Sequence, residues 1–145
     1  MNLLLRLIWI LLVSRFRSKV EPLGVCSTPF RVAITDLDVL RHMNNGKYLS
    51  ILDLGRVDFM IRAGVAEQLT RKGWYPVVVG ETIQFSRSLE LFDKFTVESQ
   101  ILGWDDKAII LQQSFVRRGI VVATAIVRGR FLSKTREKVT PGDVL

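Results

Sequence analysis

Hydrophobic and polar positions alternate with different periods along the chain. Phe30, Val32 and Ile34 are separated by Arg31 and Ala33, the period of a half-buried strand. Residues 48–63 carry an apolar stripe at helical spacing and further apolar side chains on other faces, which predicts a long buried helix. A short helix is predicted over 65–71, and strands over 76–85, 94–104, 108–117 and 120–132. This order predicts an α+β domain, with an antiparallel sheet of about five strands wrapped around one central helix.

The first 21 residues form a separate segment. Residues 3–13 are apolar except for Arg6, and three basic residues follow within the next six positions. The apolar run is shorter than the roughly 20 residues of a membrane-spanning helix, and no small-residue cleavage site follows it. A helix lying on a membrane surface, a helix packed on its own domain or on a second subunit, and an uncleaved signal anchor all remain open. We therefore divide the chain into segment 1–21 and a domain over 22–145.

Composition excludes several protein classes. The 145 residues are 48% hydrophobic and 24% charged, as expected for one globular domain and not for a disordered chain. One cysteine, Cys26, and one histidine, His42, exclude a disulfide framework, a zinc cluster and a His-rich site, so we expect neither metal nor cofactor. The net charge of +7 favours anionic partners or reflects a scattered basic surface. Because no aromatic-basic motif accompanies it, we do not expect nucleic-acid binding.

The residues suited to catalysis lie between the first predicted strand and the long helix. Two carboxylates, the only histidine and two asparagines occur within residues 36–45. Unpaired N–H groups at a helix start can bind an anion or a developing oxyanion, and a nearby carboxylate can act as a base or a nucleophile. The same residue types also occur in loops and caps for local hydrogen bonding. The pattern alone leaves both interpretations open.

The motif itself resembles a known family. Asp36-Leu37-Asp38, His42-Met43-Asn44-Asn45 and Tyr48-Leu49 together resemble the hotdog-fold thioesterase superfamily, especially the 4-hydroxybenzoyl-CoA thioesterase-like group and plant acyl-ACP thioesterases. The turn Gly103-Trp104-Asp105 is similar to the branch of thioesterase superfamily member 6-like proteins. The resemblance extends over about residues 30–133.

This resemblance implies an activity and a set of site residues. It implies hydrolysis of acyl-CoA or acyl-ACP thioesters, with Asp38 as the catalytic carboxylate and a backbone N–H near Asn45 holding the thioester carbonyl. His42 and Asn44 then order water or the loop, or act as caps. Gly46 and Tyr48 belong to the same expected substrate-binding segment. The resemblance also implies a homodimer or homotetramer with the substrate channel between subunits. We expect a cytoplasmic location, with peripheral membrane contact through 1–21 as an option.

Three more side chains are candidates for substrate binding. Glu81 lies in phase with the apolar face of its strand, where it either lines a pocket or is turned outward by a bulge at Gly80. Arg128 and Arg130 share a strand face and either bind coenzyme A phosphates or belong to a solvated basic surface.

Two other functions on the same fold remain as alternatives. An enoyl-thioester hydratase is disfavoured because its motif has a different spacing and a proline that this chain lacks. A non-catalytic module that binds acyl thioesters or a membrane would keep the fold without the chemistry.

Overall fold

A five-stranded antiparallel sheet wraps around one long helix in the computed structural model, which describes residues 3–145. The strands are β1 (Cys26–Arg31), β2 (Trp74–Phe85), β3 (Lys94–Trp104), β4 (Ile109–Arg117) and β5 (Ile120–Ser133). They lie in the order β1-β3-β4-β5-β2. The helices are α1 (Leu3–Val13), α2 (Asn45–Arg62), α3 (Val65–Lys72) and α4 (Pro141–Val144). The predicted α+β hotdog fold is confirmed.

The central helix α2 has defined ends and lies close to the sheet. The Asn44 side chain caps its start by accepting a hydrogen bond from the Gly46 N–H at 2.8 Å, and Gly64 follows its end with a φ of 77°. A Cβ on Gly55 would lie 3.0 Å from the Val97 side chain, so the close approach of this helix turn to β3 leaves little room for a larger residue. The core between helix and sheet includes Ile51, Leu52, Phe59, Phe95, Val97, Phe115, Val122 and Val127.

The first strand differs from its prediction. It spans Cys26–Arg31, whereas the alternating pattern predicted residues 30–34. The chain leaves the sheet because the Asp36 carboxylate accepts a hydrogen bond from the Ala33 N–H at 2.8 Å and the backbone turns there. Thr28 is buried in the strand. Because a polar residue occupies this buried position, the sequence does not show the alternation of apolar and polar residues that would have predicted the strand. The other predicted elements begin and end within three residues of the observed ones.

The N-terminal helix α1 packs against the domain by one face. Arg6 and Ile10 are its buried residues. The Arg6 guanidinium donates to both oxygens of Asp36, and just beyond the helix the Ser14 hydroxyl donates to Asp58 at 2.6 Å. Most of the remaining helix surface is exposed. The face of α1 that packs on the domain is therefore distinct from the face on which a membrane contact would have to form. Within residues 3–145, no helix is both long enough and apolar enough to cross a bilayer.

Candidate active site

A short loop carries the candidate catalytic residues from β1 to the start of α2. The Asp38 N–H donates to the His42 carbonyl at 3.0 Å, and the Arg41 N–H donates to the Asp38 carbonyl at 3.1 Å. Arg41 has a φ of 61°, a left-handed conformation that closes the turn. The Met43 N–H donates to the Leu89 carbonyl at 2.9 Å, which ties the end of the loop to the segment before β3. These bonds hold the loop against the N-terminus of α2.

The two carboxylates of the motif have opposite environments. Asp36 is fully buried and is bonded to Arg6 and to the Ala33 N–H. Asp38 is partly exposed, and its Oδ1 accepts a hydrogen bond from the Leu40 N–H at 2.9 Å. Asp36 therefore supports the loop, while Asp38 is the carboxylate that a substrate can reach.

The start of α2 offers a backbone donor beside this loop. The Gly46 N–H is used by the Asn44 cap, and the Lys47 N–H donates to the Asn44 carbonyl at 2.9 Å. Among residues 3–145, the N–H of Asn45 has no hydrogen-bond acceptor. Asn44, Asn45 and Gly46 are all exposed. A free N–H at the positive end of the helix dipole is suited to a carbonyl oxygen that gains negative charge.

His42 lies at the base of the same loop. Its backbone accepts from the Asp38 N–H and pairs with Glu90. Its Nδ1 is buried and has no hydrogen-bond partner within the described part of the chain. A buried ring nitrogen without a partner is unusual and is a candidate for binding water or substrate.

Tyr48, in contrast, lies in the core. Its ring is 2% exposed and packs edge-on against Phe85 and Phe115. Its hydroxyl accepts a hydrogen bond from the Leu89 N–H at 3.2 Å, and burial raises the pKa of that hydroxyl. This environment favours a packing role for Tyr48 over the predicted substrate contact.

Glu81 points toward the central helix. A bulge does occur between Val78 and Gly80, yet the Glu81 carboxylate lies 3.5 Å from the Arg56 guanidinium of α2. Its Oε1 is buried, and within residues 3–145 it has no partner with hydrogen-bond geometry. Arg56 is eleven residues after Asn45, which places it about 16 Å along the helix axis. Within one chain the structure therefore does not bring Glu81 to Asp38.

Arg56 belongs to a buried polar cluster that the sequence pattern missed. Its guanidinium donates to Gln113 Oε1 at 2.7 Å and lies 3.2 Å from the exposed carboxylate of Asp53. The Gln113 amide donates to the Leu52 carbonyl and to the Ser99 hydroxyl, both at 3.0 Å. The local signal was Gly55 beside Arg56 in a helix with a mostly buried apolar face, but only the packed sheet reveals Gln113 as the partner of Arg56.

Arg56 also borders an apolar cavity of about 180 Å³ between the helices and the sheet. The cavity is lined mainly by Phe59, Met60, Val77, Ile101, Leu111, Val127 and Phe131. Its apolar walls fit an aliphatic chain better than a charged group.

The two arginines of β5 are exposed and separate from the loop that bears Asp38. They alternate with the buried Val127 and Phe131 along the strand. Arg128 lies 3.5 Å from Asp105 in the turn before β4, and Arg130 borders the apolar cavity.

Comparisons with known proteins agree with the observed fold. A family model described as the thioesterase-like superfamily matches residues 32–143. The chain is 36% identical over 106 residues to Protein THEM6 of Xenopus laevis, covering 72% of this chain and 51% of that protein. It is 32% identical over 102 residues to the long-chain acyl-CoA thioesterase FadM of Escherichia coli, covering 69% of this chain and 77% of that one.

A solved structure has the same fold. YbaW of Escherichia coli, described as a probable thioesterase, superposes with a TM-score of 0.73 at 30% identity, covering 79% of this chain and 88% of the other. The chain spans about half to two thirds of the length of the THEM6 proteins that it matches, from 51% to 63%.

Proposed function

Because this chain belongs to the thioesterase-like superfamily, we propose that it hydrolyses acyl-CoA thioesters with Asp38 as the catalytic carboxylate. The observation that carries the proposal is the partly exposed Asp38 beside a helix start whose Asn45 N–H is unpaired within residues 3–145. The relation to an enzyme named as a long-chain acyl-CoA thioesterase supports coenzyme A as the carrier. Acyl-ACP remains the alternative carrier.

The chemistry follows from the two groups. Asp38 either removes a proton from the attacking water or attacks the thioester carbonyl to give an acyl-carboxylate anhydride, which water then hydrolyses. In both routes the carbonyl oxygen gains negative charge, and the Asn45 N–H stabilises that charge. The coenzyme A thiolate leaves and takes up a proton. His42, with its unpartnered Nδ1, is proposed to hold a water near the carbonyl.

The proposal includes a second subunit. Strand β2 has twelve residues, lies at the edge of the sheet and exposes Val78 and Val79. A long apolar edge strand is a template for pairing with another chain, and a second copy is the simplest partner. The apolar cavity also lies far along α2 from Asp38 of the same chain, so a substrate held between two subunits can reach both features. Light scattering distinguishes a dimer or tetramer from a monomer.

Several remaining site assignments stay part of the proposal. Arg128 and Arg130 are proposed contacts for coenzyme A phosphates, because guanidinium groups bind phosphate in bidentate fashion. Glu81 is proposed to line the substrate channel with Arg56. The proposal also includes a cytoplasmic location and a peripheral membrane contact through residues 1–21.

A thiol-release assay tests this function. Wild type is offered acyl-CoA substrates of increasing chain length and is compared with Asp38→Asn, which keeps the shape of the side chain and removes its charge. We expect turnover to fall by at least about 10²-fold, the scale for loss of a catalytic base. Asp106→Asn is the matched control, because Asp106 is an exposed turn residue outside the loop. Its turnover should equal that of wild type.

Each other outcome points elsewhere. Equal rates for wild type and Asp38→Asn would exclude Asp38 as the catalytic carboxylate and make Glu81 the next candidate. Binding of acyl-CoA without any thiol release would favour the non-catalytic module. Single turnover in ¹⁸O-labelled water tests for attack by Asp38 itself. When water opens the anhydride at the Asp38 carbonyl carbon, label enters the Asp38 carboxylate, whereas general-base catalysis places label only in the released acid.

A further inference from the structure

The outer face of α1 is an exposed apolar surface. Leu4, Ile8, Trp9, Leu11 and Leu12 are each between 43% and 64% exposed, and Phe16 just beyond the helix is 89% exposed. Soluble monomers rarely expose so large a continuous apolar patch, so this face is expected to contact something apolar.

A basic groove adjoins this face. The groove has a volume of about 930 Å³, and Trp9 of α1 is part of its wall. Arg31, Lys94 and Arg118 also line it, and in the described part of the chain none of the three takes part in an ion pair. No Asp or Glu is present among the described lining residues. The lining of the groove therefore carries a net positive charge, while Asp93, beside Lys94 in the chain, is a nearby carboxylate outside the lining.

We propose that the outer face of α1 and this groove together form a docking surface for an anionic lipid bilayer. The apolar face enters the interfacial region, with Trp9 at the depth that tryptophan prefers, and the groove binds acidic headgroups. This deepens the peripheral contact included in the proposed function and rests on it, but it needs no catalytic step.

The buried face of α1 fits this placement. Arg6 is bonded to Asp36, which holds this face of the helix on the domain. Ile34 is 68% exposed, lines the same groove and lies four residues before Asp38. A bilayer that contacts α1 therefore lies close to the chain entering the candidate active site.

A second copy of the chain is a poorer occupant. In a two-fold contact across this face, the basic groove of one subunit would come near that of the other. No carboxylate lines the groove, and the whole chain carries a net charge of +7, so the charges would repel. Acidic headgroups provide the missing negative charge.

Vesicle flotation of the full chain tests the proposal without any substrate. We expect binding to vesicles of phosphatidylcholine with phosphatidylserine, much weaker binding to phosphatidylcholine alone, and loss of binding as salt is raised. The variant Arg31→Gln/Lys94→Gln/Arg118→Gln should bind at least about tenfold more weakly, given the usual contribution of each basic residue near such a surface. Its control Lys134→Gln/Arg136→Gln/Lys138→Gln removes the same charge from the exposed C-terminal segment and should bind as wild type does.

A second pair of variants tests the contribution of the outer face of α1. Trp9→Ser/Leu12→Ser should also weaken binding by about tenfold or more. Leu102→Ser/Trp104→Ser removes the same side-chain types from exposed positions on β3 and should not. Circular dichroism and melting establish that all variants are folded.

Three results would overturn the proposal. They are no binding of wild type to acidic vesicles, equal weakening by both charge variants, and a Trp9→Ser/Leu12→Ser protein that falls apart into smaller oligomers because α1 covers a second copy. A wild type that binds vesicles but releases no thiol would refute the hydrolase instead, so the two failures are distinguishable.

Discussion

The buried pair between Arg6 and Asp36 connects α1 to the candidate active site, and removing it should destabilise the whole protein. The two side chains are 7% and 0% exposed, and the guanidinium donates to both carboxylate oxygens, at 2.8 and 2.5 Å. Arg6→Met keeps most of the apolar length and removes the charge. It leaves Asp36 buried, with the Ala33 N–H still donating to its carboxylate.

The magnitude follows from this environment. Breaking a buried pair by removing one partner costs about 3–5 kcal/mol, because the other charge stays desolvated without its counter-charge. Since the Ala33 N–H still bonds to Asp36, we expect the lower end, about 3 kcal/mol. For a chain of this length that corresponds to a fall in melting temperature of about 10 °C. Arg6→Lys should lie in between, because an ammonium keeps the charge but loses the two parallel bonds.

Urea unfolding of the full chain measures the effect. The matched control is Arg15→Met, at an exposed position just beyond the same helix, which should change the unfolding free energy by less than about 0.5 kcal/mol. The double variant Arg6→Met/Asp36→Leu should be more stable than Arg6→Met alone, because no unpaired charge is then buried. An Arg6→Met protein within about 1 kcal/mol of wild type would refute the pair as an anchor.

Two further predictions concern the core. Gly55→Ala should lower the free energy of unfolding, measured in urea, by about 1–3 kcal/mol. Alanine has the better helix propensity, but its Cβ would lie 3.0 Å from Val97. A variant more stable than wild type would contradict this. Burial alone would raise the pKa of Asp58, but hydrogen bonds from Ser14, Thr28 and Arg62 hold it below its usual range. This contribution to stability is therefore present above about pH 4 and is lost as the pH falls further. The unfolding free energy of Asp58→Asn should accordingly change less with pH in that acidic range than that of wild type.

Much of the fold could be predicted from local pattern. The strand over residues 94–104 was predicted with the bounds that the structure has, since alternating burial gives a strand its own period. The long helix was predicted from its apolar faces, and capping was one of the roles predicted for Asn44, which caps the helix start. The first strand was predicted too far along the chain, because the buried Thr28 interrupts the apolar–polar alternation on which the prediction relied.

The candidate site divides in the same way. The sequence by itself placed Asp38, His42 and Asn45 at a helix start, because residues so close along the chain share one loop whatever the rest of the fold does. Only the tertiary structure decided that Asp36 is bound to Arg6, thirty residues away, and that Glu81 faces Arg56 rather than solvent. Periodicity reports which face of a segment is buried, whereas the partner of a buried charge depends on distances between segments, and those are set only when helix and sheet pack together.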